Sequence, residues 1–386
     1  MQAWALYWHI RELTPQPIAL GLMGLVRFFP ILIFSLIGGM VADRFNRRNI
    51  LFFSQAGLTL VAVALGLLTI LHLIQLWHIY VLTAIQAMCT SFDQPARQSL
   101  VPSLVPKEDL ANAFSMQSIA VNIGAIAGPA LTGVVIGTLG KEWVYFINAG
   151  SFLAVILALI LMGTVQKQQT QAALQKFSLS EIVNGIRFTF RKPIILSSMI
   201  LDFFASFFSS ANTLLPYVTR DILHVGVVQY GWLSAAQSMG SVSVGLVLSQ
   251  KRRVKKQGLI LVSAATVFGL WTIVFGLSRS FWLTMAALII IGGADTLSGI
   301  LRNTLRQLQT PDHLRGRMIS VNQIFYFGGP QLGEVESGIV AQLFSVPIAI
   351  VTGGIGCILA VVAVVLKWPQ LYRYDGREAL DEPQKA

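Results

Sequence analysis

Apolar residues in this chain are gathered into blocks of roughly 20–30 positions, divided by short polar breaks. The blocks run over 18–42, 49–71, 75–101, 109–139, 142–165, 193–219, 229–250, 258–278, 280–305, 316–345 and 346–367. At about 1.5 Å per residue, each is long enough to cross a hydrocarbon core about 30 Å thick. A helix satisfies every backbone group within its own segment, so these runs predict eleven membrane-spanning helices. Residues 1–11 form a shorter apolar piece, read as part of a twelfth. A soluble helical protein does not explain so many long apolar runs joined by such short loops.

The one long polar interruption covers 166–192. Within it Ser178 to Glu181 reads as a capping box, and Ile182, Val183, Ile186 and Phe190 fall on one helical face. The predicted organisation is therefore an N-terminal transmembrane bundle over 1–165 and a cytoplasmic linker over 166–192, with its amphipathic helix against lipid headgroups. A C-terminal bundle over 193–367 and a cytoplasmic tail over 368–386 follow. The halves repeat at an offset of about 205: Arg97 answers Arg302, Pro106 answers Pro311, and Gly39 answers Gly245. Gly-Pro recurs at Gly128–Pro129 and Gly329–Pro330, with the offset reduced to 201. A parallel repeat of six spans per half is a known secondary-transporter plan, with substrate held near the midplane.

Composition agrees, with charged residues at 12% and a mean hydropathy of +0.67, against about 25% charged in soluble domains. A net charge of +11 would suit a nucleic-acid partner, but the positions of the charges exclude that. With the Arg44 loop placed in the cytoplasm and each span reversing the side, 23 of the 28 basic residues fall in cytoplasmic segments. Four fall outside, and Arg27 lies within a span. That bias orients the chain with both termini cytoplasmic. Cys89 and Cys357 each sit inside a span, so no disulfide framework is implied. The five histidines show no metal-ligand spacing, "GTLGKE" at 137–142 lacks P-loop spacing, and no nucleophile–base constellation stands out. No metal, no cofactor and no enzymatic activity are expected.

The stretch "GGMVADRFNRRNIL", Gly38 to Leu51, concentrates Asp43, Arg44, Arg47 and Arg48 between two apolar runs. An ordinary cytoplasmic loop accounts for the arginines but not for Asp43 together with Gly39. This stretch resembles the signature between spans 2 and 3 of the major facilitator superfamily, and span count, half-repeat, linker and charge bias extend the resemblance over the whole chain. The resemblance implies an all-α integral membrane fold of two six-helix bundles related by a pseudo-two-fold. It also implies secondary active transport by alternating access, with Gly39, Asp43 and the arginines gating the cytoplasmic mouth.

Span 5 carries "NIGAIAGPALTG", in which Gly124, Gly128, Pro129 and Gly133 resemble the motif of the family's exporters, with Thr132 where a glycine is usual. Gly124 and Gly128 are one turn apart and predict a close helix contact, and Pro129 permits a kink. Segments 91–115 and 308–322, with "GGPQLGEVESGIVA" in span 11, are similar to the subgroup of siderophore (enterobactin-type) and drug exporters. The implied activity is export of a small organic compound across the inner membrane in exchange for protons, by a monomer embedded in lipid. A transporter-like sensor would need a further domain, and a membrane enzyme such as a lipid acyltransferase would need a reactive constellation.

Ionisable residues within spans are the candidates for substrate or proton sites, because charge in lipid is costly unless it faces a partner or cavity. They are Arg27, Asp93, Arg97, Asp202, Asp295, Arg302, Glu334 and Glu336. Asp93 and Arg97 are placed to pair along one helix face. Arg302 is expected at the inner interface, where snorkelling explains it. Arg27, Asp202, Glu334 and Glu336 have no opposite charge within a turn, and proton coupling is expected at one of the three carboxylates. The 205-residue repeat places the start of span 1 upstream of Met1. The expectation is an internal methionine at Met1, a truncated first helix, and a natural start some 12 to 30 residues earlier.

Overall fold

The computed structural model describes residues 1–106, 109–162, 187, 189–208, 210–250, 254–311 and 314–376. Every regular element among them is helical. The chain divides into two compact units, Met1–Lys176 with Gly226–Ala235, and Phe177–Val225 with Ala236–Ala386.

The first unit contains α1 (Gln2–Leu13), α2 (Ile18–Arg44), α3 (Arg47–Ile70), α4 (Leu76–Leu104), α5 (Leu110–Thr138) and α6 (Lys141–Leu161). The second is built from α7 (Pro193–Phe208), most of α8 (Val227–Ser249), α9 (Gln257–Leu277), α10 (Phe281–Leu308), α11 (Arg315–Leu343) and α12 (Val346–Lys367). The short α13 (Pro369–Arg373) closes it, and 3₁₀ and π turns carry α7 on through Ile222. These helices match the eleven apolar blocks to within a few residues. Seven segments are long and apolar enough to cross a membrane on composition alone: α3, Asn112–Thr138 of α5, α6, Pro193–Ile222, α9, α10 and α12. The other long helices, α2, α4, α8 and α11, carry polar or charged side chains within the run, among them Arg27, Asp93, Gln237 and Glu334.

The internal repeat survives into the helices. Leu76 and Phe281, Leu110 and Arg315, and Lys141 and Val346, which open α4 and α10, α5 and α11, and α6 and α12, are each 205 positions apart. Pro129 lies inside α5 and Pro330 inside α11.

Lipid tails are as apolar as the side chains, so helices here are held by close packing and polar contacts rather than by escape from water. In the second unit a Cβ on Gly354 of α12 would lie 2.8 Å from the Gly269 carbonyl oxygen of α9, a contact that only a missing side chain permits. In the first unit Ile50, Leu51, Ala96, Leu100 and Leu159 form one buried cluster. The α2–α3 hairpin is set by Asn46, whose side chain accepts from the Arg48 backbone N–H at 3.0 Å and caps α3. The amphipathic linker helix expected from residue 178 falls outside the described residues except at its end, where Phe190 is exposed.

The short α1 is packed on nearly every side, with Ala5, Leu6, Tyr7, Trp8, His9 and Ile10 buried. Its Gln2 donates to Gln86 Oε1 of α4 at 2.8 Å and accepts from Asn148 Nδ2 of α6 at 2.5 Å. His9 Nδ1 lies 3.0 Å from the Tyr145 hydroxyl, and Lys141 forms an ion pair with Glu12.

Candidate functional site

On α4, Gln86, Thr90, Gln94 and Gln98 recur every fourth residue, which places them in one slowly winding polar stripe. Asp93 and Arg97 flank it and pair, with Arg97 Nε 3.1 Å from Asp93 Oδ2 and Nη2 donating to Oδ1 at 3.3 Å. A second helix joins the pair: Gln55 Nε2 of α3 donates to Asp93 Oδ1 at 2.6 Å. That bond fixes the amide of Gln55 and leaves its buried Oε1 without a hydrogen-bond partner. The Asp93 side chain is 9% exposed and that of Arg97 42%.

These groups border a cavity of about 420 Å³ within the first unit, inside the range of small-molecule sites. Five glutamines line it, Gln55, Gln86, Gln94, Gln98 and Gln117. Leu58, Val121 and Phe152 supply its apolar wall. A cavity of this size lined by amides and one ion pair beside an apolar wall, among helices long enough to span a membrane, is a place to hold a polar compound away from lipid.

The second unit gathers its charges differently. Asp202 of α7 is 6% exposed and meets two arginines of α10, with Arg302 Nη2 2.9 Å from Oδ1 and Arg306 Nη2 3.0 Å from Oδ2. Arg306 also donates from Nε to Ser198 Oγ at 3.0 Å, from Nη2 to the Ser198 carbonyl at 2.7 Å and from Nη1 to Asn322 Oδ1 of α11 at 2.5 Å. Arg302 donates to Ser298 Oγ at 2.9 Å. Asp295, with a side chain 52% exposed, stands 3.6 Å from Arg302.

Two sequence expectations are corrected here. Arg302 does not snorkel to the interface, because it is 5% exposed and charge-paired inside the bundle. Asp202 is not an isolated carboxylate, because two guanidiniums neutralise it from another helix. Arg27 likewise finds its partner across the fold, donating to the Tyr7 hydroxyl of α1 at 2.5 Å with its guanidinium 5.0 Å from the ring centroid. Arg306, Ser198, Asn322 and Gln55 had not been singled out. The visible signal for Arg306 was a second fourth-residue stripe, Ser298, Arg302, Arg306 and Thr310 along α10. Glu334 is buried and Glu336 half-buried on α11.

At the α2–α3 hairpin, the surroundings of Gly39 and the side chains of Asp43 and Arg44 lie outside what is described. Arg48 donates from Nε to the Leu159 carbonyl at 2.7 Å and from Nη2 to that of Ile160 at 3.4 Å. A cation on the last carbonyls of α6 complements that helix's negative end.

The glycines of span 5 do not act as the expected pair. Gly124 faces open space and a Cβ on Gly128 would lie 3.3 Å from the Met1 backbone nitrogen, whereas a Cβ on Gly133 would lie 2.7 Å from the Cα of Gly231. The close approach therefore belongs to Gly133 and the first turns of α8, which cluster with the first unit. Thr132 is fully buried and donates to the Gly128 carbonyl at 2.8 Å. Gly133→Leu should lower the midpoint of heat unfolding by the equivalent of about 1–3 kcal/mol, the usual cost of forcing atoms into a packed contact. Gly124→Ala should leave it unchanged. Tryptophan fluorescence of the detergent-purified protein checks both, and equal effects would refute the assignment.

Two bundles of membrane-length helices repeated at a constant offset, each with charged groups sequestered in its interior, define a major facilitator transporter. The chain belongs to the transmembrane secretion effector family of that superfamily, whose profile matches residues 1–383. It is 25% identical over 362 residues to the uncharacterized MFS-type transporter YfiS of Bacillus subtilis, covering 92% of this chain and 85% of that one. It is 24% identical over 340 residues to the enterobactin exporter EntS of Citrobacter koseri, covering 88% and 80%. Its fold matches the crystal structure of a bacterial homolog of the human lysosomal transporter Spinster, in an inward-facing and unoccupied conformation. That match has a TM-score of 0.71 and 16% identity, and covers 99% of this chain and 97% of the other. The protein is thus an all-α, multi-pass membrane transporter.

Proposed function

We propose that this protein exports a small organic compound, siderophore-like or drug-like, across the inner membrane by alternating access in exchange for protons. The observation that carries the reading is the amide-lined cavity beside Asp93 and Arg97. Amides and an ion pair facing a cavity among spanning helices suit a polar solute in transit. The exporter-type motif of span 5 and the enterobactin exporters among the relatives support the outward direction. The positive-inside bias supports cytoplasmic termini, and we take a single chain as the working unit.

A coupling carboxylate must gain and lose a proton during the cycle, whereas Asp93 and Asp202 already serve the ion pairs of their own units. Asp93 has Arg97 and Gln55, and Asp202 has two arginines. We assign the coupling role to the carboxylates of α11, Glu334 or Glu336, the first buried and the second half-buried in a spanning helix. Inverted membrane vesicles with an acidic interior test this. Uptake of a metal-free siderophore or a drug probe should collapse with a protonophore, and Glu334→Gln or Glu336→Gln should remove the dependence on the pH gradient. Gradient-driven uptake that survives substitution of both would overturn the coupling assignment.

A further inference from the structure

We infer that the cavity beside Asp93 and Arg97 takes an oxygen- and amide-rich hydrogen-bonding compound, neutral or singly anionic, in preference to a lipophilic cation. The inference rests on the transport reading above and narrows its substrate.

Three observations carry it. First, the one carboxylate on the cavity wall is already engaged. Asp93 receives two bonds from Arg97 and one from Gln55, and its side chain is 9% exposed. A cationic substrate would have to break that pair to find a counter-charge, leaving Arg97 beside it as a like charge.

Second, the groups presented to the cavity suit acceptors and hydroxyls. The guanidinium of Arg97 has five N–H donors; the pair with Asp93 uses two, and the side chain is 42% exposed on the cavity wall. Carbonyl, carboxylate or phenolate oxygens match such a fork.

Third, Gln86, Gln94, Gln98 and Gln117 add amides that each both donate and accept. An apolar cation would strip water from these amides and give no bonds in return. A compound carrying its own amides and hydroxyls replaces the water bond for bond. The apolar wall of Leu58, Val121 and Phe152 has one aromatic ring, a poor cage for a quaternary cation.

The full chain in lipid nanodiscs is titrated with two probes while tryptophan fluorescence is followed. One is N-acetyl-triserine amide, neutral and rich in amides and hydroxyls; the other is tetraphenylphosphonium. The serine probe should bind saturably and tetraphenylphosphonium should not. The Gln94→Leu/Gln98→Leu double variant should weaken the serine probe tenfold or more, and Gln117→Leu alone should weaken it measurably, each with an unchanged unfolding midpoint. Gln117→Leu carries the test if the double variant does not fold. Tighter binding of tetraphenylphosphonium, no saturable binding of the serine probe, or glutamine variants that bind it as the parent does would each overturn the inference. Uptake of both probes into proteoliposomes under a pH gradient separates the two claims. Binding of the serine probe without uptake removes the export reading and leaves the cavity chemistry standing, and uptake of tetraphenylphosphonium beyond that of protein-free liposomes does the reverse.

Discussion

Replacing Arg306 with methionine lowers the midpoint of heat unfolding of the detergent-purified protein by on the order of 10 °C. Arg306 is 1% exposed, and its guanidinium joins three helices through Asp202 and Ser198 of α7 and Asn322 of α11. Removing one member of a buried charge network costs about 3–5 kcal/mol, because the partners stay buried with their bonds unmade. In domains of 150–250 residues each kcal/mol is worth about 2–4 °C, which gives the stated scale. Asp202→Asn should be at least as damaging, since it leaves Arg302 and Arg306 as adjacent like charges. The two changes together should lose less than their sum, by about 1 kcal/mol or more, because they remove one interaction twice. Arg97→Met is the contrast: Arg97 is 42% exposed although Asp93 is 9% exposed, and its loss should cost less than that of Arg306, about 1–3 kcal/mol in stability. Strict additivity of Asp202→Asn and Arg306→Met would show that the network is not coupled.

Neutralising Asp43 should slow transport by about 100-fold while leaving the amount of inserted protein unchanged. The residue belongs to the hairpin motif shared with the superfamily, where its carboxylate is proposed to pair in one transport state and release in the other. Losing roughly 3 kcal/mol of pairing that exists in one state shifts the balance between states by about two powers of ten. The double replacement of Arg47 and Arg48 should give the same transport defect with an added loss of stability. Arg48 also holds the last carbonyls of α6, and a charged hydrogen bond of this kind is worth about 1.5–3 kcal/mol. The rate of efflux from proteoliposomes, normalised to reconstituted protein, measures both. Asp43→Asn protein that exports at the parent rate would remove the gate from the account.

The fold was legible because lipid imposes one rule on every span, twenty or so apolar residues with the backbone paired internally. That rule located all eleven long helices, and the constant offset of Arg97 and Arg302 exposed the repeat. The site was legible only where chemistry is local. Asp93 and Arg97 are one turn apart on one helix, so their pairing followed from spacing. Asp202 and Arg306 are 104 positions apart, and nothing in the spacing joins α7 to α10. Arg302 was misplaced for the same reason, since snorkelling is a sound reading of an arginine near a helix end until a partner on another helix is known. The cavity has little charge to mark it in the sequence. The glutamines of α4 carry none, yet their fourth-residue recurrence was present in the sequence. Gly124 and Gly133 were equivalent as letters, and only the neighbouring helix distinguishes them.

The most direct test of alternating access through this cavity is thiol labelling at Gln94. The variant Gln94→Cys, with Cys89 and Cys357 replaced by serine, is treated with a membrane-impermeant maleimide from either face of right-side-out and inverted vesicles. The account predicts reaction from both faces, slowed from both by bound N-acetyl-triserine amide, because one chamber opens alternately to each side. It also predicts that adding Asp43→Asn shifts the labelling strongly toward one face. Reaction from a single face under every condition, with export intact, would contradict it.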